Sequence, residues 1–153
     1  MTAGEVGAVA PGFSLKDQNN QLVSLADFAG AKNVVLLFYP SAFSRNCTGE
    51  LCAIRDELPR FENADVQLLA VSVDHVYAHK VWAEQEGFTF PLLADFWPHG
   101  AVAQAYGCFD FGSGRATRGT FIIDRAGVVR WKVVNAMPDP RDEAEYLEVL
   151  STL

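Results

Sequence analysis

Two continuous apolar runs constrain this chain more than any other feature. "NVVLLFY" (33–39) and "VQLLAVSVD" (66–74) show little polar alternation and are rich in β-branched and aromatic residues, the pattern of strands covered on both faces. The segments around them carry helical spacing. Leu51, Ile54, Leu58 and Phe61 recur at intervals of three and four on a helix opening near Cys47, with Pro59 placed to kink it, and "HVYAHKVWAEQEG" (75–87) reads as a second helix closed by Gly87. "FPLLAD" (90–95) and "GAVAQAYG" (100–107) supply a further strand and helix. "RGTFIIDRAGVVRWKVV" (118–134) alternates about the turn Asp124 to Gly127 as an antiparallel hairpin, and the tail from Asp142 to Leu153 has a helical pattern. At the start, Phe13 and Leu15 alternate with polar neighbours, "DQNNQ" makes a turn and "LVSL" (22–25) alternates again, which predicts a β-hairpin. Interleaved strands and helices with hairpins at both ends predict a mixed central sheet flanked by helices, an α/β layered fold.

The 153 residues, half of them hydrophobic, suit one domain spanning 1–153, without repeat or linker. A formal charge of −7, from 19 acids against 12 lysines and arginines, argues against a grip on nucleic acid or anionic lipid. "MTAGEVGAVAPGF" has neither a basic leader nor a long apolar stretch, and no later segment is apolar for the length of a bilayer crossing. Three cysteines, an odd number, fit a reducing compartment better than a disulfide framework, so a soluble cytoplasmic protein is expected.

In such sheets chemistry gathers beyond the carboxyl ends of central strands. The stretch "FYPSAFSRNCTGELC" (38–52) lies there, and it places a thiol, Cys47, where a helix should begin. A cysteine reacts as its thiolate, and the unpaired amides and macrodipole of a helix N-terminus favour that anion. A neighbouring arginine would favour it further. Arg45 precedes the helix on an exposed turn, whereas Arg118 heads the apolar strand "RGTFII" and is anchored by it. Ser44 can offer a hydroxyl to the same turn or cap the helix. Glu50 can pair with an arginine or complete a capping box.

"Pro40-Ser41-Ala42-Phe43-Ser44-Arg45-Asn46-Cys47" resembles the peroxiredoxin active-site motif P-x-x-x-[T/S]-x-x-C. "APGFSLKDQNNQLVSL", "IRDELPRFE", "GFTFPLLADFWPHGAVAQAYG" and "RGTFIID" extend the resemblance over nearly the whole chain, towards the AhpE-type one-cysteine peroxiredoxins of actinobacteria. The resemblance implies a thioredoxin-like fold with an N-terminal hairpin extension. It also implies a thiol-dependent peroxidase acting on hydrogen peroxide, organic hydroperoxides or peroxynitrite. Carried over by residue, Cys47 matches the peroxidatic cysteine, Pro40 the proline that shields its sulfur, and Ser44 the motif hydroxyl, usually threonine, that holds the peroxide. Arg118 matches the arginine that polarises the peroxide, and Glu50 the acid that orients such arginines. No metal or organic cofactor is implied. Electrons would come from thioredoxin, a mycoredoxin-like protein or a mycothiol-type thiol, and a homodimer is expected.

Cys52 departs from the AhpE-type pattern. Cys47 and Cys52 together resemble the C-x4-C of peroxiredoxin Q, the bacterioferritin-comigratory type, whose second cysteine resolves the sulfenic acid. Five residues of ideal helix hold Cα atoms roughly 8 to 9 Å apart, beyond the ~7 Å that a disulfide tolerates. Pairing would therefore need the first turn to unwind, with Gly49 as the weak point, and Cys52 can equally be a small apolar filler. Cys108, in "AYGCFDF", reads as packing on a core-edge strand.

His75 and His79 have the i, i+4 spacing of a metal face, with Asp74 as a conceivable partner, but a solvated helix start gives the same pattern and is preferred. Trp97 and His99, in "WPHG", read as a helix start with a buried indole. A thioredoxin-type oxidoreductase on this scaffold would want C-x-x-C, which is absent. A peroxide-sensing or chaperone-like module would keep the thiol without catalytic turnover.

Overall fold

The computed structural model describes residues 4–135 and 141–153. The first elements are a hairpin of β1 (Ser14–Lys16) and β2 (Leu22–Ser24), antiparallel with Leu15 opposite Val23. Its turn is closed by the Asp17 carboxylate, which accepts the Asn19 and Gln21 amides at 2.8 and 3.0 Å. Then follow β3 (Asn33–Phe38), α1 (Arg45–Asp56), α2 (Leu58–Phe61), β4 (Val66–Ser72), α3 (Val76–Glu86), β5 (Leu92–Ala94) and α4 (Ala101–Ala105). The chain continues through β6 (Phe109–Asp110), β7 (Arg115–Ala116), β8 (Arg118–Ile123), β9 (Val129–Asn135) and α5 (Glu143–Leu150).

Five strands form the central sheet in the order β5-β4-β3-β8-β9; β3, β4 and β5 run parallel, and β8 and β9 are antiparallel to their inner neighbours. Every residue of β3 and β4 is buried because both faces are covered. Val35, Leu37 and Tyr39 turn to one face, against Cys47, Leu51 and Ile54 of α1, Trp82 of α3 and Tyr146 of α5. Val34, Leu36 and Phe38 turn to the other, against Ala103, Tyr106, Cys108 and Phe121. This is the thioredoxin-like α/β arrangement, with the β1–β2 hairpin as its extension. Gln18 ties that hairpin to the edge of the sheet, donating to the Phe90 carbonyl at 2.9 Å and accepting the Leu92 amide at 2.8 Å.

Pro59 does more than kink the helix. Continued helix would press its ring against the Arg55 carbonyl, so α1 ends at Asp56 and the chain restarts as α2 with Pro59 in its first turn. Gly87 closes α3 at φ 72, the left-handed conformation that glycine adopts without strain. The segment read as a core-edge strand forms a separate small hairpin, β6 with β7, because the glycines at 112 and 114 turn the chain after two residues. Cys108 itself is buried just before it. Among the described residues no helix is long and apolar enough to cross a membrane.

Candidate active site

β3 runs into a buried turn at Pro40, whose missing N–H ends the ladder after Tyr39 has bonded to the Val71 carbonyl at 3.0 Å. The turn ends at Ser44, which sits extended at the N-cap of α1, and its Oγ accepts the Cys47 amide at 3.3 Å. Cys47 is therefore the third residue of the helix, among its unpaired amides, and is 0% exposed.

β8 is antiparallel to β3, with Leu37 opposite Thr120, so its first residue, Arg118, lies at the end of the sheet where β3 finishes. Side chains alternate along a strand, so Arg118, Thr120 and Ile122 share the face of α1. Arg118 forms a buried ion pair with Glu50, which stands one helical turn beyond Cys47. Arg45 is exposed. Of the two candidate arginines, the strand-anchored one is thus the one tied to α1, through Glu50.

A second buried arginine, Arg141, was not anticipated. Its backbone N–H donates to Glu50 Oε2 at 2.9 Å and its Nε lies 3.5 Å from the same oxygen. Its guanidinium donates to Thr120 Oγ1 at 2.8 Å and to the carbonyl of Phe38. Two guanidiniums share one carboxylate, so the trio is positive and adds to the helix N-terminus in favouring an anion. Arg141 is the only lysine or arginine after Lys132 in an otherwise acidic tail, and that isolation is the signal that could have found it.

The other thiols stand apart. Cys52 is half-buried on α1 facing α3, with its Sγ 3.4 Å from Glu86 Oε2, and burial together with that carboxylate pushes its pKa up. α1 is continuous through both cysteines, so Cys47 and Cys52 keep a helical separation. Cys108 is on the opposite face of the sheet, packed so close to β8 that a Cβ on Gly119 would lie 3.3 Å from its sulfur.

Two expectations are corrected. His75 and His79 do not share a solvated face: His75 is exposed, but His79 is 0% exposed, with Nε2 2.8 Å from both the Tyr39 and Ser72 hydroxyls. His75 is the N-cap of α3, and its ring turns back to accept the Tyr77 amide at 3.1 Å, whereas His79, one turn on, faces the sheet. Among the described residues no cluster of three metal-binding side chains exists. Trp97 is 80% exposed, not buried, because it follows β5 beyond the sheet layer; the fully buried indole is that of Trp82 on α3. His99 is bonded to the Gly114 carbonyl at 2.7 Å.

Comparison with known proteins agrees with this geometry. A profile described as the AhpC/TSA family matches residues 6–132. The chain is 53% identical to alkyl hydroperoxide reductase E of Mycobacterium tuberculosis, covering 97% of each protein. It is 34% identical to the chloroplastic 2-Cys peroxiredoxin BAS1 of Hordeum vulgare, over 97% of this chain and 74% of that one. Among solved structures, Enterococcus faecalis AhpC superimposes with a TM-score of 0.87 at 30% identity, covering 99% of this chain and 92% of that one. A family profile spanning most of the chain and a relative matched end to end place it among the AhpC/TSA peroxiredoxins, as a thiol-dependent peroxidase that reduces peroxides.

Proposed function

We propose that Cys47 is the thiol this peroxidase oxidises, with hydrogen peroxide, organic hydroperoxides and peroxynitrite as its substrates. The observation that carries the reading is the opening of α1, where Ser44 caps the Cys47 amide and Glu50, one turn on, grips Arg118. The thiolate attacks the terminal peroxide oxygen; an S–O bond forms as the O–O bond breaks, and the leaving oxygen takes a proton and departs as water or alcohol, or leaves as nitrite when the substrate is peroxynitrite. Charge develops on that leaving oxygen, so fixed donors aimed at it lower the barrier more than they stabilise the ground state. Arg118 and the Ser44 hydroxyl are those donors, Glu50 orients Arg118, and Pro40 screens the sulfur. The sulfur carries the redox change itself, so the reaction needs no metal or organic cofactor. Cys47→Ser should lose all peroxide consumption while keeping its fold; retained consumption would overturn the assignment.

The resulting Cys47 sulfenic acid is reduced by an external thiol, such as thioredoxin, a mycoredoxin-like protein or a mycothiol-type thiol. The helical separation of Cys47 and Cys52 supports this. One observation favours resolution by Cys52: Gly49 is exposed and an added Cβ would meet no atom within 4 Å, so packing does not require a glycine and its effect is to weaken the first turn. Peptide mass mapping after one equivalent of peroxide separates the two, since only the second gives a Cys47–Cys52 disulfide. Residues 1–153 act as one domain, and the free thiols support a reducing, cytoplasmic setting. Exposed Tyr77, Phe96 and Trp97, beyond the carboxyl ends of β4 and β5, support a homodimer, which sedimentation would test.

A further inference from the structure

The turn that carries the site is held by a chain of polar groups, none of which is assigned a part in the chemistry. Ala42, two residues before Ser44, donates its backbone N–H to Asp74 Oδ2 at 2.8 Å. The same oxygen accepts the Ser72 hydroxyl at 2.6 Å, and the Asp74 amide donates back to Ser72 Oγ at 3.2 Å. Behind Ser72, His79 Nε2 lies 2.8 Å from Ser72 Oγ and 2.8 Å from the Tyr39 hydroxyl. Tyr39 is the residue that leads into Pro40. The groups therefore close a ring: backbone from Tyr39 to Ala42, then Asp74, Ser72, His79 and back to the Tyr39 side chain. Burial lowers the His79 pKa to about 4, with Asp74 opposing, so a neutral imidazole bridges the two hydroxyls at physiological pH.

The turn needs such a hold. Phe43 has φ 67, a left-handed backbone that strains a non-glycine residue and persists only where its surroundings over-determine it. Its ring rests on Trp82 at a centroid distance of 6.2 Å, and Trp82 Nε1 donates to Thr48 Oγ1 of α1 at 3.2 Å. That secures the side chain of Phe43 and the first turn of α1, while Asp74 secures the backbone just before Phe43. Ser44 follows directly, so the path through Ala42 and Phe43 decides where its hydroxyl and the helix amides point.

We propose that Asp74 is a positioning residue for peroxide reduction: by fixing the Ala42 amide, with Ser72 and His79 supporting it, it sets the turn that presents the Ser44 hydroxyl and the start of α1 to the reacting oxygens. The proposal rests on the reading of Cys47 as the oxidised thiol, and loss of peroxide consumption in Cys47→Ser tests that reading separately. Misplacing a catalytic group by ~1 Å costs on the order of 100-fold in rate.

The experiment compares two reactions of the same sulfur, reduction of hydrogen peroxide and alkylation by iodoacetamide mapped to Cys47, in wild type, Asp74→Ala and Asp74→Asn. Asp74→Ala should slow peroxide reduction about 10- to 100-fold while changing Cys47 alkylation less than about threefold, because alkylation does not use the positioned donors. Asp74→Asn, whose amide oxygen accepts the same N–H, should recover to within about fivefold of wild type. A folded Asp74→Ala with an unchanged peroxide rate overturns the proposal. So does an equal fall in both reactions, or an Asp74→Asn variant as slow as Asp74→Ala. Should Asp74→Ala fail to fold, Ser72→Ala carries the same comparison: a several-fold drop confined to the peroxide reaction supports the role, and an unchanged rate refutes it.

Discussion

Cys47 and Cys108 are almost equally buried, 0% and 1% exposed, on opposite faces of one sheet, yet their surroundings differ in kind. Around Cys47 the interior is polar where it must be: a helix N-terminus, Ser44, and Glu50 with two arginines, backed by Thr120 and the His79 chain. Around Cys108 are Tyr106, Phe121 and the close backbone of Gly119, and burial, with Asp95 adding to it, pushes the thiol far up. Burial alone therefore does not decide what a thiol does. The sheet also keeps the two sulfurs apart, so a Cys47–Cys108 disulfide is excluded without loss of the fold.

The comparison breaks first at the arginines. Arg118→Ala should slow peroxide reduction about 100- to 1000-fold, the loss typical of a donor aimed at developing charge, while Arg45→Ala stays within about twofold. Equal effects in stopped-flow measurements would mean that the strand anchor does not matter.

The second expected effect is on acid stability, and it belongs to the Cys47 face. His79 titrates near 4 in the fold, against about 6.5 unfolded, so between those values the unfolded chain binds more protons and stability rises with pH. The stabilisation is present above about pH 6.5 and is lost as pH falls towards 4, by up to about 3 kcal/mol. Denaturant titrations should show that limb flattened in His79→Gln. An unchanged limb would assign it to other groups.

Smaller effects are expected from the other two positions. Cys108→Ala should cost about 1 kcal/mol through a small cavity and leave peroxide kinetics unchanged, whereas a kinetic effect would erase the contrast between the faces. Gly49→Ala should stabilise the protein by about 0.4–1 kcal/mol, because space for the Cβ is open. If Cys52 resolves, the same change should slow the disulfide.

What was legible in the sequence follows this contrast. The apolar runs fixed the buried strands, and the motif from Pro40 to Cys47 is local, so its place at a helix start could be read directly. Arg118 was preferred to Arg45 because an apolar strand anchors it; in the fold it lies on the face of Thr120 and Ile122 and pairs with Glu50, while Arg45 is exposed ahead of the helix. Arg141 could be singled out by its isolation in an acidic tail, but not its partners, because it reaches the site from just ahead of α5 through tertiary packing. His79 was misread because spacing alone does not show that the N-cap His75 turns its ring back to the Tyr77 amide while His79 packs into the sheet against Tyr39 and Ser72. Trp97 was misread because a large apolar residue next to a strand still faces outward when the chain has left the sheet.

Surroundings, not burial, should single out one sulfur for oxidation. The most direct measurement treats fully reduced protein with one equivalent of hydrogen peroxide in the presence of a sulfenic-acid trap such as dimedone, followed by peptide mass mapping of all three cysteines. Oxidation should begin at Cys47, with the trapped adduct or a Cys47–Cys52 disulfide there and Cys108 unmodified. Primary oxidation at Cys108, or labelling that persists undiminished in Cys47→Ser, would contradict it.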